Sequence, residues 1–168
     1  MRLPRSDQTR LSPDQARRIA EECYGEVLAY CRRHALAGHE PADLAQEVFL
    51  RFVRAQGYRD RGKPIAYLMR IARSVCVDAS RERQLETVSL DFDVPATDAE
   101  DERGKGIGDA VAQLPGELRE AIELRYGSGL KVNEVARVLG ISRFAVRRRI
   151  NRALELLKNK LEEDDLDG

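Results

Sequence analysis

Apolar residues recur along the chain at helical spacing. From Pro13 to about residue 37, Ile19, Cys23, Val27, Cys31 and Ala35 stand four apart, which predicts one amphipathic helix. Ser12-Pro13-Asp14 before it has the form of a cap with proline at the first helical position. Gly38 ends this helix and Pro41 starts the next. Leu44, Ala45, Val48, Phe49, Phe52 and Val53 form its apolar stripe up to about residue 56. A basic loop, Gly57-Tyr-Arg-Asp-Arg-Gly-Lys63, leads to Pro64 and a third helix carrying Leu68, Ile71, Ala72, Val75, Cys76 and Ala79.

Periodicity disappears between about residues 86 and 106, where Asp91-Phe-Asp-Val-Pro-Ala-Thr-Asp-Ala-Glu-Asp-Glu102 is acidic and interrupted by proline, the composition of a linker. A helical pattern returns at Ile107 to Gln113. A further helix follows Leu114-Pro115 with Leu118, Ala121, Ile122 and Arg125, closed by Gly127 and Gly129. The expected fold is therefore all-α: two small helical domains joined by an acidic linker. Residues 1–12 form a flexible arm, 13–85 the first domain, 86–106 the linker, 107–161 the second domain and 162–168 a frayed acidic tail.

The second domain carries the most specific pattern. Val132, Val135, Ala136 and Leu139 build a short apolar stripe, with Ala136 small where a second helix must cross closely. Gly140 can take the positive φ that ends a helix, and Ser142 can cap the next. Val146, Ile150, Ala153, Leu154 and Leu157 then continue an apolar face, opposite Arg143, Arg147, Arg148, Asn151 and Arg152. This is a helix-turn-helix, whose second helix enters the major groove, where Arg pairs with guanine edges and Asn with adenine. An ordinary packed hairpin with a solvated basic face would not need the turn, cap, small residue and arginines to agree.

The 168 residues carry 29 basic and 29 acidic side chains, a balance that at first opposes nucleic-acid binding. Its distribution removes the objection: residues 1–90 hold sixteen basic and twelve acidic side chains, residues 107–161 eleven and six, while residues 91–106 and 162–168 are acidic. No stretch is apolar and long enough to span a bilayer, and Met1-Arg-Leu-Pro-Arg-Ser-Asp7 lacks a signal-peptide core, so a cytoplasmic location without membrane insertion is expected. Cys23, Cys31 and Cys76 suit reduced, buried thiols. Cys31 and His34 share a helix face and His39 follows, but no second paired set of ligands does, so neither a metal nor another cofactor is expected.

Three segments together resemble an extracytoplasmic-function (ECF) sigma factor, a small two-domain class of bacterial transcription initiation factors. The resemblance covers most of residues 15–160. Asp43-Leu-Ala-Gln-Glu-Val-Phe-Leu-Arg-Phe52 is similar to the helix that grips the clamp helices of RNA polymerase, which implies polymerase-binding roles for Asp43, Gln46, Glu47, Phe49 and Arg51. Ala66-Tyr-Leu-Met-Arg-Ile-Ala-Arg-Ser-Val-Cys-Val-Asp78 is similar to the helix that meets the melted minus-ten element, which implies strand contacts by Tyr67, Arg70, Arg73 and Ser74. Arg59, Arg61 and Lys63 in the preceding loop add cations, and a splayed strand calls for phosphate contacts plus a stacking surface. Leu114-Pro-Gly-Glu-Leu-Arg-Glu-Ala-Ile-Glu-Leu-Arg-Tyr126 and the helix-turn-helix resemble the domain that binds the minus-thirty-five duplex.

The chain departs from the family pattern at four positions. Tyr67 stands where Trp is frequent, Ser74 where Asn is, Arg148 where a small Ser is common, and Asn151 where an aromatic residue or His is. The resemblance implies core RNA polymerase, promoter DNA and an anti-sigma factor as partners, with a monomer when free.

The alternative that keeps DNA but not polymerase is a dimeric helix-turn-helix repressor, which needs a separate sensing role for residues 13–84. An enzyme is opposed by the lack of a glycine-rich phosphate loop, of a nucleophile with a positioned His, and of a paired metal-ligand motif. A purely structural helical protein leaves Arg147, Arg148 and Arg152 without a purpose.

Overall fold

The computed structural model describes residues 11–36, 38–55, 58, 63–86 and 105–167. The chain divides into two compact units, Met1–Pro95 and Ala96–Gly168. Every regular element among the described residues is helical.

The first unit is built from α1 (Pro13–His34), α2 (Pro41–Arg54) and α3 (Pro64–Glu86), each packed on the other two. Ser12 starts α1 through a capping box: its Oγ accepts from the Gln15 backbone N–H at 3.2 Å, and Gln15 Oε1 accepts from the Ser12 N–H at 3.0 Å. Arg32, Arg33 and His34 in the last turn oppose the negative end of the helix dipole. Gly38 then turns the chain with φ 100°, and Arg83 of α3 lies so close that a Cβ there would meet its Nη1 at 2.9 Å. The core consists of Val27, Tyr30 and Cys31 from α1, Ala45, Val48 and Phe52 from α2, and Leu68, Met69 and Ala72 from α3.

All three thiols are free and buried. A hydrogen bond between Cys31 on α1 and Cys76 on α3 lowers the Cys31 thiol below its usual range, against the opposing effect of burial. Burial pushes the Cys23 thiol up, and Glu26 and Glu22 add to the rise.

The apolar stripe of α2 is narrower than its sequence suggests. Val53 is 62% exposed and Phe49 is only half-buried. At about 100° per residue, Val53 lies a further step around the helix from Phe52 and leaves the face that meets α1 and α3.

In the second unit, α4 (Lys105–Ala112) and α5 (Gly116–Ile122) pack on α7 (Arg143–Asp167), and α6 (Val132–Leu139) completes the helix-turn-helix with α7. A single π-helical turn, Glu123–Gly127, prolongs α5. Its wider turn is visible in the Ser128 N–H, which bonds the Glu123 carbonyl five residues back at 2.9 Å. Ala121, Leu124, Leu130, Val135, Val146 and Ala153 fill the core.

Two sequence expectations for α7 change here. Leu154 is 43% exposed, because it lies well around the helix from the line of Val146, Ile150 and Ala153. Residues 162–167, expected as part of a frayed tail, continue the helix to Asp167. Charged side chains are compatible with helix when one face need not be buried, and Lys158 to Glu162 supplies an i,i+4 ion pair at 3.7 Å. The arm through residue 10 and linker positions 87–104 lie outside the described residues.

Candidate nucleic-acid interface

The turn of the helix-turn-helix is fixed by local chemistry. Gly140 adopts φ 66° and ψ 31°, and the following Ile141 N–H reaches back to the Ala136 carbonyl at 3.1 Å. Ser142 Oγ accepts from the Ala145 N–H at 3.1 Å, capping α7. Lys131 begins α6 with its backbone N–H bonded to Glu134 Oε2 at 2.7 Å. Val135, Ala136 and Leu139 are buried as the spacing requires, and so are Val146, Ile150 and Ala153 of α7, on which α6 packs.

This packing turns one stripe of α7 outward. Arg143, Arg147, Arg148, Asn151 and Arg152 are all exposed, and the last four line one surface hollow with Phe144 and Glu155. The arginines differ in what holds them. Arg152 is paired with Glu155 at 2.7 Å, and Arg149, on the side toward α5, is paired with Glu117 at 3.0 Å. Arg147 and Arg148 have no ionic partner among the described residues. Two guanidinium groups are thus left with their hydrogen-bond donors available to an acceptor outside the fold.

On α3, Tyr67, Arg70, Ser74 and Arg81 follow one another at three-, four- and seven-residue intervals, and all but Tyr67 are exposed. Tyr67 is half-buried. Its ring lies 4.9 Å from that of Tyr58 and 6.1 Å from that of Phe52, while Tyr58 meets Phe52 edge-on at 4.9 Å. The expected stacking ring is therefore braced from behind by two others. Tyr58, in the loop, was not singled out by the sequence pattern because a lone aromatic between Gly57 and a charged run has no period. Arg73 lies half-buried to one side, and Lys63 is exposed just before α3. Arg59 and Arg61 lie outside the described residues.

On α2, Asp43 and Gln46 are exposed, and Glu47 is half-buried. Arg51 is held within the fold: its Nε donates to Glu47 at 2.7 Å and its Nη1 to Asp78 of α3 at 2.9 Å. Glu47 first, and Asp78 after it, raise the Arg51 pKa by hydrogen bonding. Beside this polar group stand Leu50 at 44% and Val53 at 62% exposure, and Phe49 stacks on Tyr24 of α1 at 6.0 Å. The sequence reading missed Leu50 and placed Val53 in the core. An apolar residue one step past a strong stripe is the signal that could have revealed both.

Among the described residues, no group of three or more His, Cys, Asp or Glu side chains could hold a metal ion. No helix among them is long and apolar enough to cross a membrane.

Residues 19–86 match the Sigma-70 region 2 family model, and residues 105–157 match that of Sigma-70 region 4. The chain is 32% identical over 158 residues to the RNA polymerase sigma factor CarQ of Myxococcus xanthus, covering 89% of this chain and 88% of that one. It is also 32% identical over 134 residues to the ECF RNA polymerase sigma factor SigE of Mycolicibacterium smegmatis. The chain belongs to the ECF sigma factors.

The match to SigE covers 73% of this sigma factor and 52% of that relative's length. The fold of this sigma factor is similar to that of the sigma factor RpoE in its complex with the anti-sigma factor NepR from Bartonella quintana. There the TM-score is 0.73 at 18% identity, over 87% of this chain and 96% of that one. The dimeric repressor reading left residues 13–84 to a separate sensing role. Their match to region 2 replaces it with a role in initiation.

Proposed function

We propose that this promoter-recognising sigma factor divides the work of initiation among three faces. Arg143, Arg147, Arg148, Asn151 and Arg152 of α7 bind the minus-thirty-five duplex. Tyr67, Arg70, Arg73 and Ser74 of α3, with Lys63, Arg59 and Arg61 before it, hold the melted minus-ten strand. Asp43, Gln46, Glu47 and Phe49 of α2 dock on core RNA polymerase. Arg51, bound to Glu47 and Asp78, orients Glu47 in that interface.

The observation that carries this reading is the outward stripe of α7, in which Arg147 and Arg148 have no ionic partner among the described residues while Gly140 and Ser142 fix the turn before them. Guanidinium groups so placed match the acceptor edges of guanine, and their neighbours supply phosphate contacts. On α3 the braced Tyr67 offers a ring face with cations alongside, the combination that an unpaired strand requires. Leu50 and Val53 add apolar area to the polar α2 face, which suits a protein partner better than a nucleic acid.

Each module makes few phosphate contacts, so the free chain binds promoter DNA weakly and with steep salt dependence. Polymerase raises the effective concentration of both modules on one promoter. Melting is driven by binding to the open strand, with no covalent step assigned to the chain, which acts as a monomer in the cytoplasm. The similar fold of a sigma factor crystallised with its anti-sigma factor supports an anti-sigma partner here as well.

Run-off transcription with core polymerase and a promoter library tests the proposal. Transcripts from a defined subset of promoters, dependent on added chain, are expected. Tight, polymerase-independent binding to a palindromic site by a dimer would replace it with the repressor reading.

A further inference from the structure

The recognition helix carries one residue that the arginine pattern does not account for. Phe144 stands in the first turn of α7 and is 72% exposed, the most exposed of the large apolar side chains among the described residues. Residues 144, 147, 148, 151, 152 and 155 follow helical spacing, and together they line the hollow described above. The ring of Phe144 lies beside the guanidinium of Arg148, whose central carbon is 5.9 Å from the ring centroid. That distance falls at the edge of a cation–π contact. It is also the only partner that Arg148 has among the described residues.

These facts bear on base reading. The N-terminal turns of a recognition helix are the part that approaches base edges in the major groove. A phenyl ring offers no hydrogen bond there, and its one favourable base contact is with the C5-methyl group of thymine. A guanidinium resting against that ring keeps its N–H edge free to meet the O6 and N7 of a neighbouring guanine.

We propose that Phe144 is a specificity-determining residue. Its ring packs on the methyl group of a thymine beside the guanine paired by Arg148, and it orients the Arg148 guanidinium for that pairing. The proposal rests on α7 being the minus-thirty-five reader and names the bases that two of its side chains recognise.

Replacing thymine by uracil removes only the C5-methyl group, so it tests the contact directly. The full chain, assembled with core polymerase, is first used to select its preferred minus-thirty-five duplex. Each thymine in that duplex is then changed to uracil and promoter-complex formation is measured. One replacement is expected to weaken the native complex about fourfold, the equivalent of one methyl group returned to water. Phe144→Ala should be indifferent to that same replacement. Phe144→Leu, apolar but without a π face, should keep the uracil sensitivity and lose part of the guanine preference at the neighbouring position. Because Phe144 is outside the core, both variants should keep the native far-ultraviolet circular dichroism and melting temperature.

A native complex indifferent to every thymine-to-uracil change, or a Phe144→Ala complex that retains the sensitivity, overturns the thymine contact. Full guanine preference in Phe144→Leu overturns the orienting role. If Arg148→Ala loses guanine preference while Phe144→Ala behaves as native, the inference about Phe144 fails and the minus-thirty-five assignment stands. If neither Arg147→Ala nor Arg148→Ala alters base preference, the assignment of α7 itself fails.

Discussion

Arg51 on α2 reaches Asp78 on α3 through a 2.9 Å hydrogen bond while its Nε holds Glu47 one turn back on its own helix. α2 and α3 are thereby joined at the surface. Both side chains of the bridge are about two-fifths exposed, so solvent screens most of its Coulomb energy. Asp78→Ala should therefore lower unfolding free energy by less than about 1 kcal/mol. Urea denaturation measures this, and a loss several times larger would show that the bridge is a structural keystone.

Phe52 has no exposed surface and lies behind both Tyr58 and Tyr67. Phe52→Ala should destabilise the first domain by about 3–5 kcal/mol through lost burial and the cavity left behind. Tyr67 would lose its brace, so open-complex formation should fall even at temperatures where the variant remains folded. Permanganate footprinting of the minus-ten strand would record that fall, and native-like footprints in the folded variant would count against a braced stacking ring.

Gly140 holds a left-handed conformation at φ 66° with open space where a Cβ would stand. Gly140→Ala should cost about 1–2 kcal/mol from backbone strain alone. The second domain should melt earlier with little change in the first, which differential scanning calorimetry can resolve. An unchanged thermogram would contradict the strained turn.

Arg147→Ala or Arg148→Ala should each reduce discrimination at one upstream base pair by about 1–3 kcal/mol. Arg143→Ala, if that residue meets phosphate, should weaken all promoters alike and reduce the salt slope by about 1. Competition binding of the polymerase complex to promoter variants at several salt concentrations separates the two behaviours. Unchanged selectivity in both the Arg147 and the Arg148 variant would remove that face from base recognition.

Asp43 and Glu47 are on the α2 face beside Leu50. Changing both to Arg should prevent co-purification with core polymerase while the helical circular dichroism persists. The single Asp43→Arg change leaves the Glu47–Arg51 pair intact and should weaken association less. Retention of the double variant on polymerase would place the docking surface elsewhere.

The sequence by itself determined the helices and the turn. Pro13, Pro41 and Pro64 mark three helix starts, Ser12 and Ser142 cap as their side chains allow, and Gly140 ends α6 with the positive φ expected of it. These features depend on neighbours within about one helical turn, so local chemistry is enough. The outward position of the α7 arginines was legible for the same reason: burying Val146 and Ile150 leaves the opposite face no other place.

Only the tertiary structure decided which marginal residues are covered and which charges are already paired. Val53 and Leu154 fall outside the core because the width of an apolar stripe is set by the neighbouring helices. Arg51 and Asp78 are 27 positions apart, and Tyr58 meets both Phe52 of α2 and Tyr67 of α3 only in the folded unit. Arg149 looks like Arg147 and Arg148 in the sequence, yet Glu117 of α5 engages it. Pairing with a residue far along the chain depends on where that side chain is brought, and the placement follows from packing, which no helical period encodes.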